Sequence, residues 1–214
     1  TDLLKHADTA MYQAKAAGRH TFLRYTESMD SSTRQRAGLI ASLRRAIERN
    51  ELRLVYQPQL SLADGGIRCV EALLRWYSTE HGEVSPVQFI PLAEERGMIV
   101  GIGAWVLREA FNTLADWQRA GLQGETMAVN VSATQLLHSD LPRAVERILR
   151  ETGIDPGQLE LELTESVLMA KAGLAAERLQ FFRRIGVSIA VDDFGTGYSS
   201  LAYLRRLPIT TLKI

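Results

Sequence analysis

Asp192 and Asp193 stand side by side after a run of β-branched and small residues, 187–191, and are followed by Phe194-Gly195-Thr196-Gly197-Tyr198. A buried strand that ends on two acids delivers negative charge to a cleft. Neighbouring strand residues point to opposite faces, so both carboxylates can meet one ligand only through a tight loop, which the glycines at 195 and 197 permit. Taken alone, the pair could equally be a solvated turn. The pattern recurs upstream: Glu71 falls late in the apolar run 67–76, Asn130 near the end of 126–131, Glu162 within 159–163, and Lys213 within 210–214. Each run brings an oxygen donor or a cation towards its carboxyl end.

Two carboxylates about 4 Å apart repel by roughly 4 kcal/mol at an effective dielectric near 20. A cluster of Glu71, Glu162, Asp192 and Asp193, offset only by Lys213, must take up protons or bind cations. All-oxygen donors favour hard ions, Mg²⁺ or Mn²⁺, over zinc. His6, His20, His81 and His138 are scattered without a zinc-ligand spacing. Four or five donors exceed what one Mg²⁺ usually takes from protein. Two ions about 3.5–4 Å apart are therefore expected, an arrangement typical of phosphodiester hydrolysis.

The elements that must position these residues alternate. Segments 52–60 and 67–76 read as strands of a hairpin around Asp64-Gly65-Gly66. Helices are expected over 86–96, 104–120, 140–151 with Asp140 as cap, 174–185, and a short one over 199–206; strands over 126–131, 159–163, 187–191 and 210–214. Successive strand–helix units imply right-handed parallel crossovers, and hence a (β/α) barrel or an open doubly wound sheet. In a barrel the carboxyl ends of the strands converge on one mouth. Upstream, a helix over 1–18 and a strand over 20–25 are too small to bury a core. Residues 26–32 read as a polar linker. A basic amphipathic helix follows from about Thr33, with Leu39, Leu43 and Ile47 on one face, and reads as a surface helix or connector.

With 25 basic and 25 acidic residues among 214, the chain has no broad electrostatic footprint for DNA or an anionic membrane. The one cysteine, Cys69, excludes an internal disulfide and fits a reducing compartment, so a cytoplasmic location is expected. No uninterrupted apolar run of about 18 residues exists, so no membrane segment is expected in this chain.

Glu71-Ala72-Leu73-Leu74-Arg75-Trp76 resembles the Glu-Ala-Leu signature of the EAL-domain phosphodiesterases, which hydrolyse cyclic di-GMP. Further blocks are similar to that family's in the same order: Tyr56-Gln57-Pro58, Phe89-Ile90-Pro91-Leu92-Ala93-Glu94, Asn130-Val131-Ser132, Glu162-Leu163-Thr164-Glu165-Ser166, Asp192-Asp193-Phe194-Gly195 and Leu212-Lys213-Ile214. Upstream, Ala7-Asp8-Thr9-Ala10-Met11-Tyr12-Gln13-Ala14-Lys15 with Gly18-Arg19-His20 resembles the end of a GGDEF (diguanylate cyclase) domain, without the signature itself.

The resemblance implies an α/β fold: a (β/α)8 TIM-like barrel with one antiparallel strand, incomplete because the last strand–helix units are missing. It divides the chain into a GGDEF remnant (1–25), a linker (26–37) and an EAL domain (38–214), truncated at both ends. It implies Glu71, Asn130, Glu162 and Asp192 as metal ligands, with Asp193 serving a second Mg²⁺ or Mn²⁺. Lys213 is implied to orient the attacking water, Gln57 and Arg75 to contact cyclic di-GMP, and Glu165 to steady the loop 193–200, itself implicated in homodimer contacts. The implied reaction is hydrolysis of cyclic di-GMP to linear pGpG. The family's late catalytic glutamate and glutamine are absent from the chain. A non-catalytic cyclic di-GMP receptor, or an inactive fragment, is the alternative.

Overall fold

The computed structural model describes residues 2–16, 21–122, 124–170, 172–195 and 207–214. Strands β1 (Leu52–Leu60), β2 (Ile67–Ser78), β4 (Thr126–Asn130), β5 (Leu159–Thr164), β6 (Ser188–Asp192) and β7 (Thr211–Leu212) lie in that order in one sheet, and β3 (Gly82–Val84) pairs with β2. The pairs β2–β4, β4–β5, β5–β6 and β6–β7 are parallel, while β1 and β3 run antiparallel to β2. The fold is thus mixed α/β with a mainly parallel sheet, an incomplete TIM-like barrel. Besides the expected antiparallel hairpin strand it has a second antiparallel partner, β3, whose three residues are too few to show a period.

Helices α3 (Pro86–Glu95), α4 (Ile99–Arg119), α5 (Ala133–His138), α6 (Leu141–Thr152), α7 (Glu165–Ala170) and α8 (Ala172–Arg184) form the crossovers. The alternation Leu159-Glu160-Leu161-Glu162-Leu163 shows how the two faces of the sheet divide. Leu159, Leu161 and Leu163, with Met127, Val129, Ile189 and Val191, join the core shared with Leu107, Phe111, Leu114, Leu136, Ile148, Leu179 and Phe182. The intervening residues face inward, where helices cannot cover them. Backbone alternation therefore sends the acids to the barrel interior.

Several element boundaries differ from the sequence expectation. Helix α4 begins five residues earlier than 104, at Ile99, because burial of Ile99, Ile102 and Gly103 outweighs the low helix propensity of Gly101 and Gly103. Helices α5 and α7 span six residues each, too short for a readable period. The stretch 21–26 is not a strand, since no neighbouring strand pairs with it among the described residues. The polar residues 26–32 are not aperiodic, and the helix expected from about Thr33 begins earlier: helix α2 (Glu27–Leu43) starts at Glu27, where Thr26 is extended and Glu27 and Asp30 complement the positive end of the helix dipole. Asp30 also accepts from Tyr25 Oη at 2.9 Å and from Thr9 Oγ1 at 3.4 Å, tying α2 to α1 (Asp2–Ala16). Asp140 precedes α6 as expected, but its carboxylate accepts no capping hydrogen bond. The expected helix 199–206 lies outside the described residues.

Where β4 leaves the barrel, Ser132 and Gln135 form a capping box that opens α5: Ser132 Oγ accepts from the Gln135 backbone at 3.2 Å, and Gln135 Oε1 from the Ser132 backbone at 3.1 Å. Gly103 on α4 abuts this box, since a Cβ there would lie 1.8 Å from Gln135 Nε2. Gly103→Ala is therefore expected to lower unfolding free energy by about 1–3 kcal/mol despite the better helix former. In a Gln135→Ala background the same change should be neutral or stabilising. Urea denaturation of the four proteins of this double-mutant cycle checks both expectations.

Candidate active site

At the carboxyl ends of the strands, Lys213 stands among acids drawn from segments far apart in the chain. Its Nζ lies 2.9 Å from Glu71 Oε2, 2.7 Å from Glu162 Oε2 and 3.9 Å from Asp192 Oδ1. Asn130 Nδ2 donates to the other Glu71 oxygen at 2.7 Å. The register explains the convergence: Asn130 is level with Glu162, and Thr164 with Asp192, so each inward position of one strand is answered by its neighbour. Lys213 follows β7 and is anchored by its own N–H on Val191 O at 2.8 Å, while its carbonyl accepts from Phe194 N at 2.9 Å.

Burial then sorts the acids. For Glu71, burial works against the charge, but hydrogen bonds from Lys213 and Asn130 outweigh it and hold the carboxyl below its ordinary value. The Glu162 side chain is fully buried, and this desolvation pushes its pKa up to about 7. The Lys213 hydrogen bond opposes that shift, while the charges of Glu71 and Asp192 add to it. Burial lowers the Lys213 pKa less than its bonds to Glu162 and Glu71 raise it. Glu162 is consequently the acid on which a proton is most easily kept. Its Oε1 is buried without a hydrogen-bond partner among the described residues.

That orphaned oxygen, in an all-oxygen donor set with more acids than the lysine can balance, suits a hard divalent cation. The acids are not already grouped as a cage: no three Asp, Glu, His or Cys side chains stand around one point as metal ligands among the described residues. An ammonium group holds them together instead. In metal-free protein the raised Glu162 pKa contributes stability fully present below about pH 4.5 and lost as pH rises through about 7. Glu162→Gln should remove this loss, so urea midpoints of wild type and variant in EDTA are expected to diverge between pH 5 and pH 8, the variant falling less.

The remaining sequence-implied residues surround this cluster. Asp193 lies at the exposed rim with φ 53°, a left-handed conformation that Asp tolerates better than most residues, and its N–H bonds Asp192 Oδ1 at 3.0 Å. Glu165 is buried, and its carboxylate accepts from Gly195 N at 3.0 Å, so it reaches the start of the loop 193–200; residues 196–200 lie outside the described residues. Gln57 is exposed on β1 and pairs with Glu71. Arg75 does not touch the acids: its Nη1 turns back to Leu74 O at 2.9 Å, and it lines a cavity of about 290 Å³ beside the mouth with Leu73, Glu94, Asn130, Ser132 and Thr164. Burial raises the Glu94 pKa there. A larger concavity of about 680 Å³, bordered by α4 and α6, lies in the helical layer and includes none of the acids at the mouth.

Sequence reasoning missed Glu160 and Thr211, which meet one level below the mouth. The signal was present: Glu160 is two residues from Glu162 on a strand, hence on the same face.

Over its whole length the chain is 44% identical to MucR of Pseudomonas aeruginosa, a bifunctional diguanylate cyclase/cyclic di-GMP phosphodiesterase, and it covers 31% of that protein. It is 40% identical to the cyclic di-GMP phosphodiesterase PdeR of Escherichia coli, again over its whole length and 32% of the relative. The chain thus spans about a third of the length of these curated relatives. Among solved structures, the PaMucR phosphodiesterase in complex with c-di-GMP superposes with a TM-score of 0.80 at 46% identity, covering 83% of this chain and 72% of that one. The FimX EAL domain of Pseudomonas aeruginosa bound to c-di-GMP gives a TM-score of 0.74 at 26% identity, covering 82% and 70%. Residues 40–214 match the EAL domain family, and the chain, with its acids gathered at the mouth of an incomplete barrel, belongs to it.

Proposed function

We propose that the protein carrying this chain is a metal-dependent phosphodiesterase that hydrolyses cyclic di-GMP to linear pGpG. The observation that carries this reading is the convergence of Glu71, Asn130, Glu162 and Asp192 on Lys213 at one mouth. Glu71, Asn130, Glu162 and Asp192, with Asp193, would hold two Mg²⁺ or Mn²⁺ ions. Bound there, such ions supply neutralising charge for the phosphate and lower the pKa of water.

The chain's own residues supply the rest. Lys213, rigidly held by two carboxylates, offers a remaining N–H to orient a water and to offset charge that develops on the phosphate. Arg75, beside Asn130 in the flanking cavity, has the planar fork that suits a phosphate, and Gln57, on the same sheet face as Glu71, would contact a guanine. Glu165 fixes Gly195 and with it the loop that follows Asp193. Attack of water on phosphorus forms one P–O bond and breaks the bond to O3′, leaving a 3′-hydroxyl and a 5′-phosphate. We further assign residues 1–25 to the end of a GGDEF domain and residues 38–214 to an EAL domain acting as a homodimer in the cytoplasm. No described helix is long and apolar enough to cross a membrane.

The alternative reading is a receptor that binds cyclic di-GMP without cleaving it. Titrating the full-length protein with cyclic di-GMP first in Ca²⁺ and then in Mg²⁺, while following product, separates the two. Binding in Ca²⁺ followed by cleavage in Mg²⁺ is expected. Binding in both without product would replace the enzyme by the receptor.

A further inference from the structure

Below the mouth the barrel interior carries a second polar rung. Glu160 on β5 is 8% exposed, and its Oε2 accepts from Thr211 Oγ1 on β7 at 2.6 Å, past the intervening strand β6. Two residues further along each strand, Glu162 Oε2 meets Lys213 Nζ at 2.7 Å. Strand β5 therefore grips β7 at two successive inward levels. The grip matters because β7 spans only Thr211–Leu212. Beside its two-residue ladder with β6, the segment is tied to that strand by Thr210 N to Ile189 O at 2.9 Å, by Lys213 N to Val191 O at 2.8 Å, and by the Thr210 hydroxyl, which accepts from Ile189 N at 3.0 Å and donates to Ile189 O at 2.7 Å; none of these reaches β5. A strand this short defines its register weakly, and a one-residue slip would turn Lys213 out of the interior.

We infer that Glu160 and Thr211 are positioning residues for Lys213: their hydrogen bond locks β7 in register and so sets the ammonium against Glu71 and Glu162. The kinetic consequence rests on the hydrolytic reading; the structural one does not. Thr211→Val keeps the shape and deletes the hydroxyl, whereas Thr211→Ser keeps the hydroxyl. Misplacing a reacting group by about 1 Å costs on the order of 100-fold in rate. In full-length protein, Thr211→Val should lower kcat about 10- to 100-fold with KM within about twofold of wild type, and Thr211→Ser should stay near wild type. Equal kcat for Thr211→Val and wild type, or an equal fall in both variants, would overturn the inference. If Thr211→Val does not fold, Glu160→Gln, which still accepts a hydrogen bond, and Glu160→Leu, which does not, carry the same comparison.

A second measurement is independent of turnover. The ¹H–¹⁵N signal of the Lys213 ammonium, protected from exchange by its two carboxylates, should be present in wild type and Thr211→Ser and lost in Thr211→Val. An unchanged signal in Thr211→Val rejects the positioning role. A wild type that shows the signal but turns over no cyclic di-GMP rejects the hydrolytic reading alone.

Discussion

Replacing Glu71 by alanine is expected to lower cyclic di-GMP turnover by about a thousandfold, the largest effect of any single change at the mouth. Glu71 is bonded twice, to Lys213 at 2.9 Å and to Asn130 at 2.7 Å, so it links the lysine to β4 as well as offering an oxygen to a cation. Loss of about 4 kcal/mol of transition-state stabilisation, the scale on which a bound cation acts, corresponds to that factor. The fold should survive, because Glu71 is partly exposed and its removal leaves Lys213 paired with the buried Glu162. Steady-state turnover beside a thermal melt tests this, with lost activity and a melting temperature within a few degrees of wild type as the expected pair. Unchanged turnover would remove Glu71 from the site.

Lys213→Met should be the more damaging change to the fold. It strips from three acids the cation that they share among the described residues, and Glu162, fully buried with one oxygen already unpartnered, cannot turn to solvent. Breaking a buried pair from one side costs about 3–5 kcal/mol. Glu162 can escape part of that cost by taking up a proton, and its pKa is already raised to about 7 by burial. The variant should therefore lose much of its stability at pH 8 and regain part of it at pH 5, opposite to the behaviour expected if Lys213 were a solvated surface residue. Adding Mg²⁺ at pH 8 should raise the melting temperature of Lys213→Met more than that of wild type, since the cation replaces the missing charge. Turnover should stay low at either pH, because methionine offers no N–H in the place of the ammonium.

The parts of this architecture that were legible in the sequence are those where a period repeats. The strand runs around Glu71, Asn130, Glu162 and Asp192 alternate or are uniformly apolar, and their sidedness in the barrel follows from parity alone. Short elements carry no such signal: β3 is set by its pairing with β2, as Trp76 with Val84, and α5 by the capping box of Ser132 and Gln135, while six residues of α7 are too few to show a period. The run 20–25 looks like a strand by composition, but Phe22 is exposed and nothing pairs with it among the described residues. At the site, residue types predicted acids needing cations with Lys213 among them, but not which carboxylates the lysine would bind. Which partner neutralises a carboxylate depends on distances that only the register of β7 decides. Glu160 lies on the interior level beneath the strand ends, where the spacing of acids at the mouth carries no signal.

Hydrolysis in H₂¹⁸O tests the central claim most directly. Full-length protein incubated with cyclic di-GMP and Mg²⁺ in labelled water should yield linear pGpG carrying a single ¹⁸O in its 5′-phosphate, with no product when EDTA replaces Mg²⁺. Intact, unlabelled cyclic di-GMP recovered from protein that binds it would contradict the account.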